Sequence, residues 1–408
     1  MASKKEKSNK IKPNPFAWNI YSFCSRIIMF FKNRVKYDTK IFKKRDKKRG
    51  CIVLYNHASK KDHFITSAAF GTTRVNYVIS NHFYYKSILR TVLTWVRAIP
   101  REQFKSDLIS IRKIKKVIDK NGVICIAPAG QMTIDGAVPY IDRAIVKLIK
   151  FCKADVYTCQ MHGTYLAYPK WRKNERKYPI RANFLKVMDK EEITSLSEDE
   201  IYERSVKAID VYDLRDQKEN PIKIKGENLI EGLDQIIYYC PKCKSKHTLV
   251  AKGDTIKCTR CNNTVRMNQY GFLEPVGNDC VMFQNESEWY KHEKSVIKEE
   301  ILKGGYYLEG DFTLTCNVKE SEWELEEVGQ GKVVLTNDEI YYEGTFKGET
   351  ILKKFNLENL IQLPFDAGVR FDIPSDEGTF QFRPINTPAK VIEFVQAIDV
   401  MREIRLGQ

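Results

Sequence analysis

In the stretch LYNHASKKDHF, residues 54–64, His57 stands five positions ahead of Asp62 with two lysines between them. On a continuous α-helix the two side chains would point about 140° apart and could not meet. They can meet only if a helix begins after His57, leaving the imidazole on a turn from which it folds back towards the carboxylate. The flanks supply that break. CIVLY before it is a short apolar run of the kind that forms a buried strand, and FITSAAF after it reads as helix. The spacing therefore predicts a strand-to-helix junction with a histidine on the turn. A chance surface histidine beside a helix-start aspartate is the alternative.

The same alternation continues from Cys51 to about Gln217. CIVLY, NYVIS, VICIAP, VYTCQMHG and NFLKVM read as strands. FITSAAF, ISIRKIKKVIDK, DRAIVKLIKFC and DEIYERSVKAIDVY read as helices. Strands alternating with helices imply an α/β layer with a mostly parallel sheet. In that architecture, chemistry gathers on loops beyond strand ends, where His57 falls.

A net charge of +16 invites a nucleic-acid reading until it is located. Residues 1–50 hold sixteen Lys/Arg against three Asp/Glu, so +13 belongs to this arm and the remaining chain is nearly balanced. Within the arm, PFAWNIYSFCSRIIMFFK repeats Phe16, Ile20, Phe23, Ile27 and Phe30 at helical spacing, with Asn19, Ser22 and Arg26 largely off that stripe. Lysines flank the segment on both sides, notably in KKRDKKR at 43–49. An amphipathic helix of this kind suits the interface of an anionic membrane; a core-packing helix with a basic tail is the other reading. No apolar run approaches the roughly 20 residues a membrane span needs, and the N-terminus shows no cleavable signal pattern.

Four of the eleven cysteines cluster in CPKCKSKHTLVAKGDTIKCTRC, residues 240–261. Two C-x-x-C pairs, each on a tight turn, can bring Cys240, Cys243, Cys258 and Cys261 around one tetrahedral zinc ion. Four thiolates leave no open position, so such an ion is structural, and His247 is redundant as a ligand. The other seven cysteines are scattered, often in apolar runs, as in a reducing compartment. A helical connector, ESEWYKHEKSVIKEEIL, leads into a β-rich region at 306–383. GKVVLTNDEIYYEG reads as two strands around an Asn-Asp turn, and VRFDIPSDEGTFQF as a hairpin around Asp-Glu-Gly. AKVIEFVQAIDVMREI closes it as an amphipathic helix. Strands closed by one C-terminal helix resemble a pleckstrin-homology-like fold.

NHASKKD is followed by AIPREQF at 98–104, NGVICIAPAGQMTIDG at 121–136 and ADVYTCQMHGTY at 154–165. This series resembles the glycerolipid acyltransferase family, best known from 1-acylglycerol-3-phosphate acyltransferases. Its first block, Asn-His, four residues and Asp, is matched by Asn56, His57, Ser59 and Asp62; Arg101 fits the second block. Pro128, Gly130 and Gly136 fit the third. The resemblance covers about residues 15–215. It implies acyl transfer from acyl-CoA or acyl carrier protein to a lysophospholipid hydroxyl, with His57 as general base oriented by Asp62. Asn56, Ser59, Arg101, Pro128 and Gly130 would bind substrate. Lys60, Lys61 or Lys105 would assist Arg101 at an acceptor phosphate. It further suggests a bacterial protein, peripheral or monotopic on the cytoplasmic face of the membrane.

The departures fall in the acceptor-recognition blocks. The family's Pro-Glu-Gly-Thr-Arg-Ser is Pro128-Ala129-Gly130-Gln131-Met132-Thr133 here, and Thr158 takes the position of a family proline. YPKWRKNERK, at 168–177, offers aromatic and basic residues for a lipid head group or an exposed loop. The expected organisation is a basic arm with an interfacial helix (1–50), an acyltransferase domain (51–220), a zinc ribbon (236–275), and a connector with a pleckstrin-homology-like domain (280–408). A scaffold of the same fold with altered catalysis, binding lipid or protein, is the alternative function. Nucleic-acid binding is disfavoured by the balanced charge outside the arm.

Overall fold

The run CIVLY is buried at every position, as only a strand covered on both faces can be. It lies in the middle of a seven-stranded sheet. The computed structural model describes residues 11–85, 87–102, 107–316, 325–375 and 378–407. The lysine-rich first ten residues, Lys105 and the Asp376–Glu377 turn lie outside the described residues. The chain divides into two compact units, residues 1–168 with 177–216, and residues 169–176 with 217–408.

In chain order the first unit carries α1 (Pro15–Asn33), β1 (Lys36–Asp38), α2 (Lys40–Lys43), β2 (Cys51–Tyr55), α3 (Asp62–Phe70) and β3 (Val75–Ser80). There follow α4 (Ser87–Trp95), β4 (Ile99–Arg101), α5 (Leu108–Asp119), β5 (Val123–Ile126), α6 (Ala144–Cys152) and β6 (Asp155–His162). The series ends with α7 (Thr164–Ala167), β7 (Arg181–Met188), α8 (Lys190–Ile193), α9 (Glu198–Ala208) and α10 (Asp213–Glu219). The sheet order is β1-β7-β6-β2-β5-β3-β4. Only the β6–β7 pairing is antiparallel. The other pairings are parallel, so β2, β3, β4, β5 and β6 all end at one edge of the sheet. On one face Ile52, Leu54, Ile124 and Val156 pack with Ile114 and Ile149.

Helix α1 is started by Asn14, whose side chain accepts from the amides of Phe16 and Ala17. Its apolar stripe, Phe16, Ile20, Phe23, Ile27 and Phe30, is exposed. The opposite stripe, Trp18, Ser22, Ser25 and Met29, is buried. Ser22 and Arg26 do turn away from the apolar stripe, but they turn towards protein. Three donors one turn apart close the end of α3: Trp18 Nε1 donates to the Gly71 carbonyl at 2.9 Å, Ser22 Oγ to that of Ser67 at 2.9 Å, and Arg26 to that of Ala68 at 2.8 Å. Carbonyls at a helix end need such partners. None of the helices among the described residues is long and apolar enough to cross a membrane.

The second unit holds a four-stranded antiparallel sheet of β8 (Leu249–Lys252), β9 (Thr255–Cys258), β10 (Thr264–Met267) and β11 (Leu273–Pro275). After α11 (Glu286–Leu302) come β12 (Tyr307–Cys316), β13 (Glu326–Thr336), β14 (Ile340–Phe346), β15 (Glu349–Phe355), β16 (Phe365–Asp366), β17 (Arg370–Ser375) and β18 (Gly378–Pro384). They form one antiparallel sheet ordered β15-β14-β13-β12-β18-β17-β16, and α12 (Lys390–Arg405) follows. Helix α12 is not the half-exposed amphipathic helix its sequence suggests. It is buried almost all round, because Phe394 packs on Phe312 and Phe371 of the sheet while Glu393 meets His247, Gln396 meets Glu293 of α11 and Arg402 donates to the Ile361 carbonyl. The segment 168–177 is divided: Lys173, Asn174, Glu175 and Lys177 are exposed as in a surface loop, whereas Lys170, Trp171 and Arg176 are buried, Arg176 bonding the Leu229 carbonyl, and serve packing.

Two buried glutamates organise this unit. Glu293 of α11 accepts from the Tyr238 and Tyr239 amides at 2.7 and 2.8 Å and from Gln396 of α12. Burial nevertheless pushes it up to about 8. Glu393 of α12 meets His247 at 2.9 Å, Lys390 at 2.8 Å and Lys246 at 3.4 Å. Burial opposes its charge, but these partners hold it at about 2. Glu393 thus stabilises the fold above its ordinary value of 4.5, and that stability is lost as pH falls towards 2. The difference is about 3 kcal/mol. Glu293 has the opposite sign: its contribution is full below 4.5 and lost as pH rises through about 8. Thermal melts across pH should show Glu393→Gln destabilising the unit at pH 6 and removing the acid limb. Glu293→Gln, isosteric with the protonated acid, should be tolerated and flatten the limb above pH 5. A melting profile unchanged in both variants would contradict this assignment.

Candidate active site

Strand β2 delivers Asn56 and His57 to the sheet edge, and α3 begins at Asp62, so the junction read from the sequence is the one formed. His57 Nδ1 lies 2.7 Å from Asp62 Oδ2. Asp62 is 1% exposed, and the one basic group paired with it among the described residues is the His57 ring. Its charge is met by hydrogen bonds: Oδ2 also accepts from the Ala58 and Ser59 amides at 2.8 and 3.0 Å, and Oδ1 from Ser59 Oγ at 2.5 Å. With these donors in place the carboxylate accepts from Nδ1–H, which leaves the imidazole lone pair on Nε2. Nε2 makes no hydrogen bond among the described residues, and the ring is 27% exposed. The pair therefore holds an oriented base facing outward.

The other expected site residues divide into two groups. Asn56 and Ser59 are buried with their polar atoms committed to protein. The Asn56 amide donates to the Met161 carbonyl and accepts from the Met161 amide, both at 2.8 Å, tying the end of β2 to β6. Ser59 serves Asp62. In this geometry both brace the turn and neither presents a free polar atom to a substrate. Arg101 ends β4 at the same sheet edge, half-buried and without an ion pair among the described residues. Burial lowers its guanidinium from the ordinary value, with Asp107 and Asp142 opposing.

Pro128 and Gly130 lie in the turn after β5, also at that edge, with Gly130 at φ +71°. The loop is bound to the site through Thr133, whose amide donates to the His57 carbonyl at 2.9 Å. Gly136, at φ +90°, passes so close to the Tyr165 ring that an added Cβ would stand 2.9 Å from it. Ala129 is buried and its side chain offers no polar atom. Thr158, in the proline position, is buried in β6 and bonds the Ala208 carbonyl at 2.9 Å.

Sequence reading missed a second constellation in this unit. His162, at the end of β6, lies 2.9 Å from Asp216 Oδ2. Asp213 accepts from the Gly163 and Tyr165 amides at 2.7 and 2.9 Å, and burial pushes it up to about 6. Fifty residues separate these partners from the histidine, and no local pattern announces them.

In the second unit Cys240, Cys243, Cys258 and Cys261 come together, with ligand atoms within 4.8 Å of one another. The Cys240–Cys261 and Cys243–Cys258 sulfur pairs are each 3.7 Å apart. A tetrahedral ion with Zn–S bonds of about 2.3 Å needs sulfur–sulfur edges of about 3.8 Å, so the four sulfurs fit a metal. His247 faces Glu393.

Residues 34–162 match the model of the Acyltransferase family. Comparison with curated proteins gives no significant match. Among solved structures, the chain is similar to the 1-acyl-sn-glycerophosphate (LPA) acyltransferase PlsC from Thermotoga maritima, with 14% identity, a TM-score of 0.41, and coverage of 51% of this chain and 80% of that one. The matched region encloses β2, the start of α3, β4 and the turn after β5. With the oriented His57–Asp62 pair inside an Acyltransferase-family domain, the chain is an acyltransferase.

Proposed function

We propose that the protein moves a fatty acyl chain from the thioester of acyl-CoA or acyl carrier protein to the hydroxyl of a lysophospholipid-like acceptor. The observation that carries this reading is the 2.7 Å His57–Asp62 contact with Nε2 left unbonded. The acceptor hydroxyl gives its proton to Nε2 as its oxygen attacks the thioester carbonyl. Asp62 stabilises the imidazolium that forms. The intermediate collapses with cleavage of the C–S bond, and the leaving thiolate recovers the proton from Nε2. Arg101, without an ion pair among the described residues, is the group for an acceptor phosphate. The Pro128–Gly130 turn forms part of the acceptor wall, where Ala129 removes the carboxylate that the family pattern carries. A binding module with lost catalysis is favoured only by Ala129, and the intact dyad opposes it.

The reading sets the reaction on the cytoplasmic face of an anionic membrane; the outward apolar stripe of α1 and its flanking lysines support a membrane surface. The four cysteines are read as a zinc ribbon whose ion is structural, supported by their sulfur spacing. The pleckstrin-homology-like reading of the C-terminal part rests on its seven antiparallel strands and closing helix. Zinc, when bound, fixes the two cysteine turns and takes no part in acyl transfer.

Labelled acyl-CoA or acyl carrier protein offered with a panel of lysophospholipids should give transfer by the wild type. His57→Ala should lower it by about 10² to 10⁴. Arg101→Ala should raise KM for a phosphate-bearing acceptor about tenfold with little change in KM for the donor. No transfer by the wild type to any acceptor would sink the proposal. Metal analysis should find about one equivalent of zinc per chain, lost in Cys258→Ser together with thermal stability, while folded variant retains transfer. Unchanged melting in that variant would refute the structural zinc.

A further inference from the structure

Helix α1 has its polarity turned outward. Phe16, Phe23, Phe30 and Phe31 are 75%, 64%, 58% and 78% exposed, while Ser22 and Ser25 are buried. An apolar stripe of this size on a protein surface marks an interaction site. A lipid surface fits it better than a second copy. The stripe runs straight along one helix with lysines at both ends, and pairing two chains through it would bring two +13 arms together. What α1 holds is as informative as what it exposes. Trp18, Ser22 and Arg26 sit one turn apart and donate to the carbonyls of Gly71, Ser67 and Ala68. The Tyr21 ring packs on Phe64, with centroids 5.9 Å apart. These are the two ends of α3, a helix of nine residues and so about 13 Å long. Asp62, which orients His57, is its first residue.

We propose that Trp18, Ser22 and Arg26 are positioning residues that make the His57–Asp62 pair depend on whether α1 is seated on an anionic bilayer. This rests on the acyl-transfer reading above. On a bilayer the stripe is buried, α1 is fixed, and its three donors hold the end of α3 so that Asp62 stays under the imidazole. In water none of the described residues buries the stripe, and α1 is held to the domain by Trp18, Met29 and the three hydrogen bonds. Motion of α1 then reaches the dyad through one short rigid helix. Misplacement of a catalytic group by about 1 Å can cost up to 10²-fold in rate.

The test uses the full chain with a short-chain acyl-CoA and a short-chain acceptor that both remain in solution, with and without vesicles of mixed phosphatidylglycerol and phosphatidylcholine. The wild type should pellet with the vesicles and show kcat raised about tenfold, with KM for both soluble substrates little changed. Trp18→Phe and Ser22→Ala, which leave the stripe intact, should pellet equally well and lose most of the rise. Arg26→Leu should behave like them, and Arg26→Lys, which keeps an N–H donor, should retain the rise; melting curves identify any variant that fails to fold. A wild type that pellets and transfers at an unchanged kcat, or donor variants that keep the full rise, overturns the coupling and leaves acyl transfer standing. A wild type that transfers but does not pellet removes the bilayer as occupant and overturns it too. No transfer under any condition overturns both readings.

Discussion

Asp62 is a buried carboxylate met chiefly by hydrogen bonds, and the strand-to-helix turn at the head of the site is built around satisfying it. An isolated carboxylate in such a place would be costly. The chain meets the cost with the turn itself, through the amides of Ala58 and Ser59, the Ser59 hydroxyl and the His57 ring. That arrangement exists only if β2 ends before His57 and α3 starts at Asp62. The same demand therefore fixes a secondary-structure boundary and the orientation of a base. Further bonds hold the turn in place: Asn56 to β6, and the Thr133 amide to the His57 carbonyl. Met161 lies on β6 and Thr133 in the loop after β5, two strands that end at the same edge of the parallel sheet.

The second unit solves a related problem differently. Its acidic pair is buried between the cysteine turns, α11 and α12, and its two members are driven in opposite directions by their neighbours. Glu393 is surrounded by His247, Lys246 and Lys390, whereas Glu293 is bonded by the Tyr238 and Tyr239 amides and Gln396, with no ion pair among the described residues. Burial dominates at Glu293, and pairing dominates at Glu393. The Tyr238 and Tyr239 amides bonded by Glu293 immediately precede Cys240, so the cysteine turn and the closing helix share one polar network.

Local order was legible wherever the pattern was local. Both flanks of the His57 turn, the strands of the parallel sheet, the connector helix, the two hairpins and the cysteine set could be named from runs, spacings and turn residues. Polar partnerships across long separations could not. Ser22 was legible as lying off the apolar stripe, but an amphipathic pattern says which face differs, and not which face is covered. Helix α12 looked half-exposed because Glu393, Gln396 and Arg402 are polar, though their partners bury them. In the segment 168–177 the pattern did not separate the exposed Lys173–Glu175 from Lys170, Trp171 and Arg176, which are buried. Asn56 and Ser59 were recognisable as belonging to the site, but their bracing role follows from bonds to Met161 and Asp62.

The sequence by itself determined the chemistry at hand: a histidine and an aspartate that only a strand-to-helix turn can join, four cysteines in two matched pairs, and a charge confined to one arm. These are properties of spacing and composition, and short-range geometry enforces them. Only the tertiary structure decided that α1 turns its aromatic stripe outward and its donors towards α3, that Arg101 and the Pro128–Gly130 turn share an edge with His57, and that His162 meets Asp216. The reason is physical: a hydrogen bond or a buried face depends on which distant segment arrives to complete it, and the sheet order β1-β7-β6-β2-β5-β3-β4 is what brings those segments together.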